Sequence, residues 1–228
     1  MKTLFPYIIA ASLLQSCTNN GQCFEISIYG KECNNLAIKL CRDTDLGLVT
    51  IDSTIFEMQK ATLKGSVDNP ELMYIFIDNA ADYMPIFMEN TEITVDANYE
   101  KPSKSIVTGS ESHRIFTDFL QSYAIYSDKI SGLVKSARNA MSNYDTAMYN
   151  KIDEERKLTD LEAKEFQKLF VQKNITHPIA CYILSTHLMY TLSSEELKKI
   201  LNSIPQENRN NKYYKKATEY LQQTSHKI

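Results

Sequence analysis

The first half of the chain is dominated by short segments in which apolar and polar residues alternate. Residues 24–29 read FEISIY and residues 36–41 read LAIKLC, an alternation typical of strands with one buried face. Further strands are predicted at residues 46–51, 55–58, 61–67, 72–77, 85–88, 93–97 and 105–108. Short strands at this spacing, separated by turn residues, predict an antiparallel β-sandwich or open barrel over residues 24–110.

The first two strands are predicted to form an antiparallel hairpin. The register that pairs Ile26 with Ile38 puts the apolar residues of both strands on one core-facing side. The same register places Cys23 opposite Cys41 on the other face.

The spacing of apolar residues becomes helical after residue 111, which predicts an α-helical domain over residues 111–228. After a first helix that starts near residue 112, later helices are expected at residues 146–173, 178–190, 193–204 and 213–223. Pro178 suits the first position of a helix, and Ser193 with Glu196 forms a capping box. The predicted fold class is therefore α+β, with the β-domain first and the helical domain second.

The first twenty residues have the organisation of an export signal. Lys2 precedes an apolar run at residues 4–14. As a helix this run rises only about 16 Å, against roughly 30 Å of bilayer core, so it predicts a signal segment and not a membrane span. The LQSC sequence ending at Cys17 resembles the bacterial lipoprotein processing box. That resemblance implies a signal peptide at residues 1–16 and a mature chain that carries acyl chains on Cys17.

Lipidation of Cys17 would also set the location of the protein. Residues 17–23 would form the lipidated end and a polar tether, and each buried methylene of the acyl chains would contribute about 0.8 kcal/mol to membrane attachment. Thr18, and not an aspartate, follows the cysteine, which favours an outer-membrane anchor facing the periplasm. A signal that stays uncleaved, or that is cleaved conventionally, is the alternative.

Four of the five cysteines lie between Cys17 and Cys41. Paired thiols tend to be oxidised in an exported compartment, so Cys23 and Cys41 are the candidate disulfide, with Cys33 in the turn as a competitor for either. A redox-active thiol is the other interpretation, but the sequence shows no charged or helix-terminal partner that would lower a thiol pKa. Cys181 lies in an apolar helix and is expected to be a buried thiol.

No other pattern predicts a catalytic residue, a metal ligand or a cofactor. The formal net charge is -3, with 25 Lys+Arg against 28 Asp+Glu, which lacks the basic excess of a nucleic-acid binder. The four histidines lack the spacing of a zinc site, and Asp43-x-Asp45-x-Gly47 favours a plain turn over a calcium loop. The 14 tyrosines and nine phenylalanines are expected in the core more than in a ligand groove.

The order of several short motifs resembles a known family. In the first half these motifs are Asp52-Ser53-Thr54, Gly65-Ser66-Val67, Phe87-Met88-Glu89-Asn90 and Val107-Thr108-Gly109-Ser110. In the second half they are residues 170–174, 178–180 and 192–197. Together they resemble the domain of unknown function 4369 family, an N-terminal domain with a helical linker that precedes thioredoxin-like domains in lipoproteins of Gram-negative bacteria.

The resemblance implies a part of such proteins that performs no catalysis. The chemistry of the family lies in the thioredoxin-like domain, whereas this sequence ends at Ile228 and contains no Cys-x-x-Cys. No catalytic residue is carried over from the family.

The sequence therefore predicts a lipid-anchored periplasmic module that binds or scaffolds, with the membrane as one partner and a periplasmic protein as another. An accessory of thiol–disulfide exchange, acting with a separate thioredoxin-like partner, is the first alternative. An enzyme with an unrecognised site is the second.

Overall fold

The computed structural model describes residues 23–225, which form an α+β fold with the strands first and the helices second. The predicted signal peptide at residues 1–16 and the predicted lipid site Cys17 lie outside the described residues. The strands are β1 (Phe24–Tyr29), β2 (Ala37–Thr44), β3 (Gly47–Ile55), β4 (Lys60–Gly65), β5 (Glu71–Ile77), β6 (Met84–Met88), β7 (Glu92–Asp96) and β8 (Ile106–Thr108).

These strands form an open sandwich of two four-stranded sheets. Sheet one has the order β4-β1-β7-β8 and sheet two has the order β3-β2-β5-β6. All pairings are antiparallel except the parallel pair of β1 with β7. The predicted class of fold is confirmed, and the arrangement is a sandwich and not a closed barrel.

The core of the sandwich lies between the sheets and is formed by the alternating apolar residues seen in the sequence. Ile26 and Ile28 of β1 are fully buried, as are Leu40 of β2 and Ile75 of β5. Alternation with a period of two residues puts these side chains on one face of each sheet, because successive side chains of a strand point to opposite faces.

The predicted hairpin of the first two strands is wrong. β1 pairs with β4 and β7, whereas β2 pairs with β3 and β5, so the two strands lie in different sheets. Ile26 lies opposite Leu63, and Ile38 lies opposite Thr54 and Ile77. The alternation correctly predicted which side chains are buried, but a buried face can be matched by either sheet of a sandwich.

Five α-helices follow the sandwich. They are α1 (Glu111–Ser142), α2 (Thr146–Lys173), α3 (Pro178–Ile183), α4 (Ser194–Ser203) and α5 (Lys212–Ser225). Ser193 and Glu196 form the predicted capping box of α4. The third predicted helix is shorter than expected, because the backbone changes to a π-helical turn at Leu184–Leu188. No helix within residues 23–225 is long and apolar enough to cross a membrane.

The helical domain packs against the outer face of sheet two. Phe87 of β6 is fully buried on this face, and its ring lies 5.8 Å from Phe116 of α1 and 5.5 Å from Tyr182 of α3, centre to centre. Leu72 of β5 packs against the same helical core. Sheet two is therefore covered on both faces where β5 and β6 meet the helices.

A polar junction connects the end of β6 to the start of α1. The carboxylate of Glu89 accepts hydrogen bonds from the hydroxyls of Ser110 and Ser112, at 2.8 and 2.6 Å, and from the backbone N–H of Ser112. Ser110 is the N-cap of α1, and Gly109 before it has a φ of +91°. An acidic group at a helix N-terminus satisfies backbone donors that have no partner within the helix.

Candidate functional site

A groove of about 930 Å³ opens between the two domains. One side is formed by the end of β2 and by the connection from β4 to β5, and the other side is formed by the first turns of α5. Clefts of this size between domains are common positions for ligand sites.

Asn211 fixes the position of α5 beside the groove. Its side-chain amide donates to the carbonyl of Pro70 at 3.3 Å, and its side-chain oxygen accepts from the backbone N–H of Tyr213 at 2.8 Å. The residue is 1% exposed, so these bonds form in a dry environment where an unpaired amide would be costly. One asparagine therefore caps the start of α5 and attaches the helix to the β-domain.

An ion cluster centred on Glu71 joins the two domains at the groove. The carboxylate of Glu71 is 2.8 Å from Nε of Arg42 and also pairs with Nζ of Lys212. Glu71 is 8% exposed, whereas the side chains of Arg42 and Lys212 remain partly exposed. A buried carboxylate is tolerated when cations and hydrogen bonds replace its lost water, so Glu71 requires both partners.

Three tyrosines contribute to the lining of the groove. The hydroxyl of Tyr213 accepts from the backbone N–H of Leu72 at 3.0 Å, and the ring of Tyr182 lies 5.2 Å from that of Tyr213 in an edge-on contact. Burial raises the pKa of Tyr213, raises that of Tyr182 to about 12, and raises that of Tyr74, where Asp43 adds to the effect. All three phenols are therefore neutral at physiological pH and offer both ring surface and hydroxyl groups.

The side chains that most resemble a catalytic triad are those of Ser112, His113 and Glu89, but their contacts are structural. Nδ1 of His113 accepts from the backbone N–H of Phe87 at 3.3 Å, and Nε2 lies 3.3 Å from the hydroxyl of Thr117. The hydroxyl of Ser112 donates to Glu89 and not to the imidazole. Burial lowers the pKa of His113 to about 4, so the ring is neutral and caps the edge of β6.

The other described histidines also have structural contacts. His177 accepts from the backbone N–H of Ile179 and caps α3. His187 packs edge-on against Phe119 and Tyr123. Burial is the main cause that lowers the pKa of both imidazoles. Within residues 23–225, no group of three or more His, Cys, Asp or Glu is placed to hold a metal ion.

The disulfide between Cys23 and Cys41 stays a prediction, but the hairpin on which it was based does not form. Cys41 is a buried free thiol whose sulfur lies 3.7 Å from the hydroxyl of Thr50. That prediction relied on a β1–β2 hairpin, whereas β1 and β2 lie in different sheets of the sandwich. Cys33, the predicted competitor, is also a buried free thiol.

The environments of the buried thiols do not favour nucleophilic chemistry. Burial raises the pKa of Cys33, with a further contribution from Glu32, and it raises the pKa of Cys181 to about 12. A reactive thiol needs a lowered pKa and access to solvent. Cys181 is buried and free, as the sequence predicts.

Sequence reasoning named Asp43 and Asp45 only as part of a plain turn and missed the other residues that line the groove. Glu71 and Lys212 are separated by 141 positions, as are Leu72 and Tyr213. The high tyrosine content was also related to this site, but composition does not say which tyrosines come together.

The sandwich and the start of the first helix have a family assignment. Residues 25–116 match the model of a family described as Domain of unknown function (DUF4369). The matched range includes both Glu89 and Ser112, so the polar junction with α1 lies inside it. No curated protein and no solved structure matches the chain. Residues 25–116 are therefore similar to the DUF4369 family of domains of unknown function.

Proposed function

We propose that this protein is a non-catalytic, lipid-anchored module of the bacterial cell envelope that binds a ligand or a partner in the groove between its domains. In this proposal the acyl chains on Cys17 hold it to the outer membrane, and the folded part faces the periplasm. The observation that carries the proposal is the groove itself, which combines tyrosine rings with charged side chains at a domain boundary.

The chemistry of the groove supports binding without catalysis. Its neutral tyrosines supply apolar surface and hydroxyl groups, and the negative charge of Glu71 is balanced by Arg42 and Lys212. The polar groups at the Glu89 junction, where a serine and a histidine are adjacent, are engaged in capping and strand-edge contacts. A few polar groups placed around an apolar surface are typical of a recognition site.

The position of β1 supports a tether of limited length. Cys17 is seven residues before Phe24, and seven extended residues span at most about 25 Å. An anchor on Cys17 would therefore keep the sandwich close to the membrane surface.

Metabolic labelling tests the anchor. Cells that express the natural chain in the presence of labelled palmitate should yield a labelled protein in the membrane fraction. The Cys17→Ser variant should carry no label and should leave that fraction. An unlabelled natural protein would overturn the anchor.

A groove-blocking substitution tests the binding site. Thr186 is exposed and contributes to the lining of the groove, so Thr186→Trp should fill part of the space without disturbing the core. The matched control is Thr94→Trp, at an exposed threonine of β7. Both proteins, purified from the envelope, are compared with the natural chain by native mass spectrometry and by cross-linking in cells.

The proposal predicts that the ligand adduct or cross-linked partner is lost in Thr186→Trp and kept in Thr94→Trp. Equal retention in both variants would overturn the groove as the site. If the cross-linked partner is a thioredoxin-like protein, the module is an accessory of thiol–disulfide exchange.

A further inference from the structure

The two walls of the groove carry opposite charge. The β-domain side has three aspartates that form no hydrogen bond or ion pair through their side chains within residues 23–225, namely Asp43, Asp45 and Asp68. The α5 side has three lysines and one glutamate, namely Lys212, Lys215, Lys216 and Glu219. One wall is therefore acidic and the other is basic in net charge.

The ion cluster between the walls does not cancel this arrangement. Glu71 pairs with Arg42 from its own domain and with Lys212 from α5, so those three charges are committed to one another. Lys215 is held by the side-chain oxygen of Asn210 at 2.7 Å, and Lys216 has no ion pair within the described residues. Lys216 and the three aspartates are thus available to charges on a ligand.

The lining between the two walls can contact the uncharged part of a ligand. Tyr182 and Tyr213 present a rigid pair of rings, and the hydroxyl of Tyr74 has no hydrogen-bond partner within the described residues. Since these phenols are neutral, they add no charge of their own to the field between the walls. Opposed charges around a low-polarity lining orient a dipolar ligand, because each end is attracted to one wall and repelled by the other.

We propose that the groove binds a short zwitterionic peptide. Its ammonium group lies toward Asp43, Asp45 and Asp68, its carboxylate lies toward the lysines of α5, and its side chains contact the tyrosines. This inference rests on the proposed binding function and adds the class of ligand. A volume of about 930 Å³ lies at the upper end of the usual range for ligand pockets and suits several peptide residues more than a single small ion.

The probe is a pool of peptides of two to six residues made only from uncharged amino acids, so that the termini carry the only charges. The pool is prepared in four forms: free, N-acetylated, C-amidated, and blocked at both ends. Each form is passed over the immobilised full-length protein, and the retained peptides are quantified by mass spectrometry.

The free pool should be retained best, and each blocked terminus should lower retention about fivefold, which corresponds to one surface-type charge pair of about 1 kcal/mol. Lys216→Glu should lower the retention of the free and N-acetylated forms and leave the C-amidated form unchanged. Asp45→Lys should lower retention of the free and C-amidated forms and leave the N-acetylated form unchanged. Lys198→Glu, on the exposed surface of α4, is the matched control and should change nothing.

The outcomes separate this inference from the proposed function. Retention that is equal for all four forms, yet is lost in Thr186→Trp, would keep the groove as a binding site and overturn the zwitterionic ligand. Retention of no form would overturn the peptide inference, while the native mass spectrometry and cross-linking comparison would still decide the binding function. Retention that survives both Thr186→Trp and Lys216→Glu would place any peptide binding elsewhere and overturn the inference.

Discussion

The carboxylate of Glu89 accepts hydrogen bonds from both the backbone N–H and the hydroxyl of Ser112, at 3.1 and 2.6 Å. Glu89 follows the last residue of β6 and Ser112 lies in the first turn of α1, so this pair connects the sandwich to the helices. Both residues lie inside the range that matches the family. Burial alone would raise the pKa of Glu89, but the hydrogen bonds from Ser112 and Ser110 outweigh it and lower that pKa.

Replacing Glu89 by glutamine should therefore destabilise the protein. Glu89→Gln removes the negative charge that strengthens the hydrogen bonds from Ser110 and Ser112. We therefore expect the free energy of unfolding to fall by about 2 kcal/mol. Urea unfolding followed by circular dichroism measures the change. Glu57→Gln, at an exposed turn glutamate, is the control and should change the free energy little. Equal effects of the two substitutions would contradict the structural role of Glu89.

His113 should make the fold sensitive to mild acid. The pKa of its imidazole falls from 6.5 to about 4 on folding, because the neutral ring is buried. The unfolded chain therefore binds a proton that the folded chain does not bind, and stability should fall as the pH drops from about 6.5 toward about 4, by up to roughly 3 kcal/mol in total. The contribution of Glu89 is lost at lower pH, below about 4.3, because its folded pKa is depressed.

The variant His113→Gln isolates this effect. Glutamine keeps an oxygen that can accept from the backbone N–H of Phe87 but does not titrate. The free energy of unfolding should therefore depend less steeply on pH between about 6.5 and 4 than in the natural protein. Identical slopes for the two proteins over that interval would show that His113 is not the group responsible.

Two glycines should respond in opposite directions to alanine. A Cβ at Gly109 would lie 2.3 Å from the carbonyl oxygen of Glu92, and the φ of +91° is unfavourable for alanine, so Gly109→Ala should cost at least about 2 kcal/mol. Gly132 lies inside α1 with nothing within 4 Å of its Cβ position. Gly132→Ala should therefore stabilise the protein by about 0.5–1 kcal/mol.

Thermal unfolding of both variants provides the measurement. An increase in Tm for Gly132→Ala together with a decrease for Gly109→Ala is expected. A neutral Gly109→Ala would mean that β7 and the start of α1 do not approach each other as closely as the structure places them.

Three buried cysteines should react only after the protein unfolds. Cys33, Cys41 and Cys181 are buried, so brief treatment of the native protein with iodoacetamide should leave their thiols unmodified. After unfolding without a reductant, all three should be modified. Peptide mapping assigns each site. If Cys23 and Cys41 react only after reduction, the disulfide predicted from the sequence exists in the exported protein and the strand arrangement must allow it.

The alternating pattern of β1 explains why the predicted pairing of β1 with β2 is wrong. Phe24, Ile26 and Ile28 alternate with polar residues, and this local pattern correctly identified a strand of six residues. Any partner strand that buries the same face satisfies this pattern. The pattern therefore did not distinguish β2, the next strand in sequence, from the observed partners β4 and β7. The open turn at residues 30–36 and the fold of the sandwich carry the chain from one sheet to the other.

By itself the amino-acid sequence determined the features that depend on neighbours within a few positions. These include the alternation of β1, the span Thr146–Lys173 of α2, the capping box of Ser193 and Glu196, and the start of α3 at Pro178. Only the tertiary structure decided the sheet partners, the free state of Cys41, and the groove where Glu71 meets Lys212. The physical reason is distance along the chain. The hydrogen bonds of a helix turn and the alternation of a strand depend on neighbouring residues, whereas a contact across 141 positions depends on how the sandwich packs against the helices.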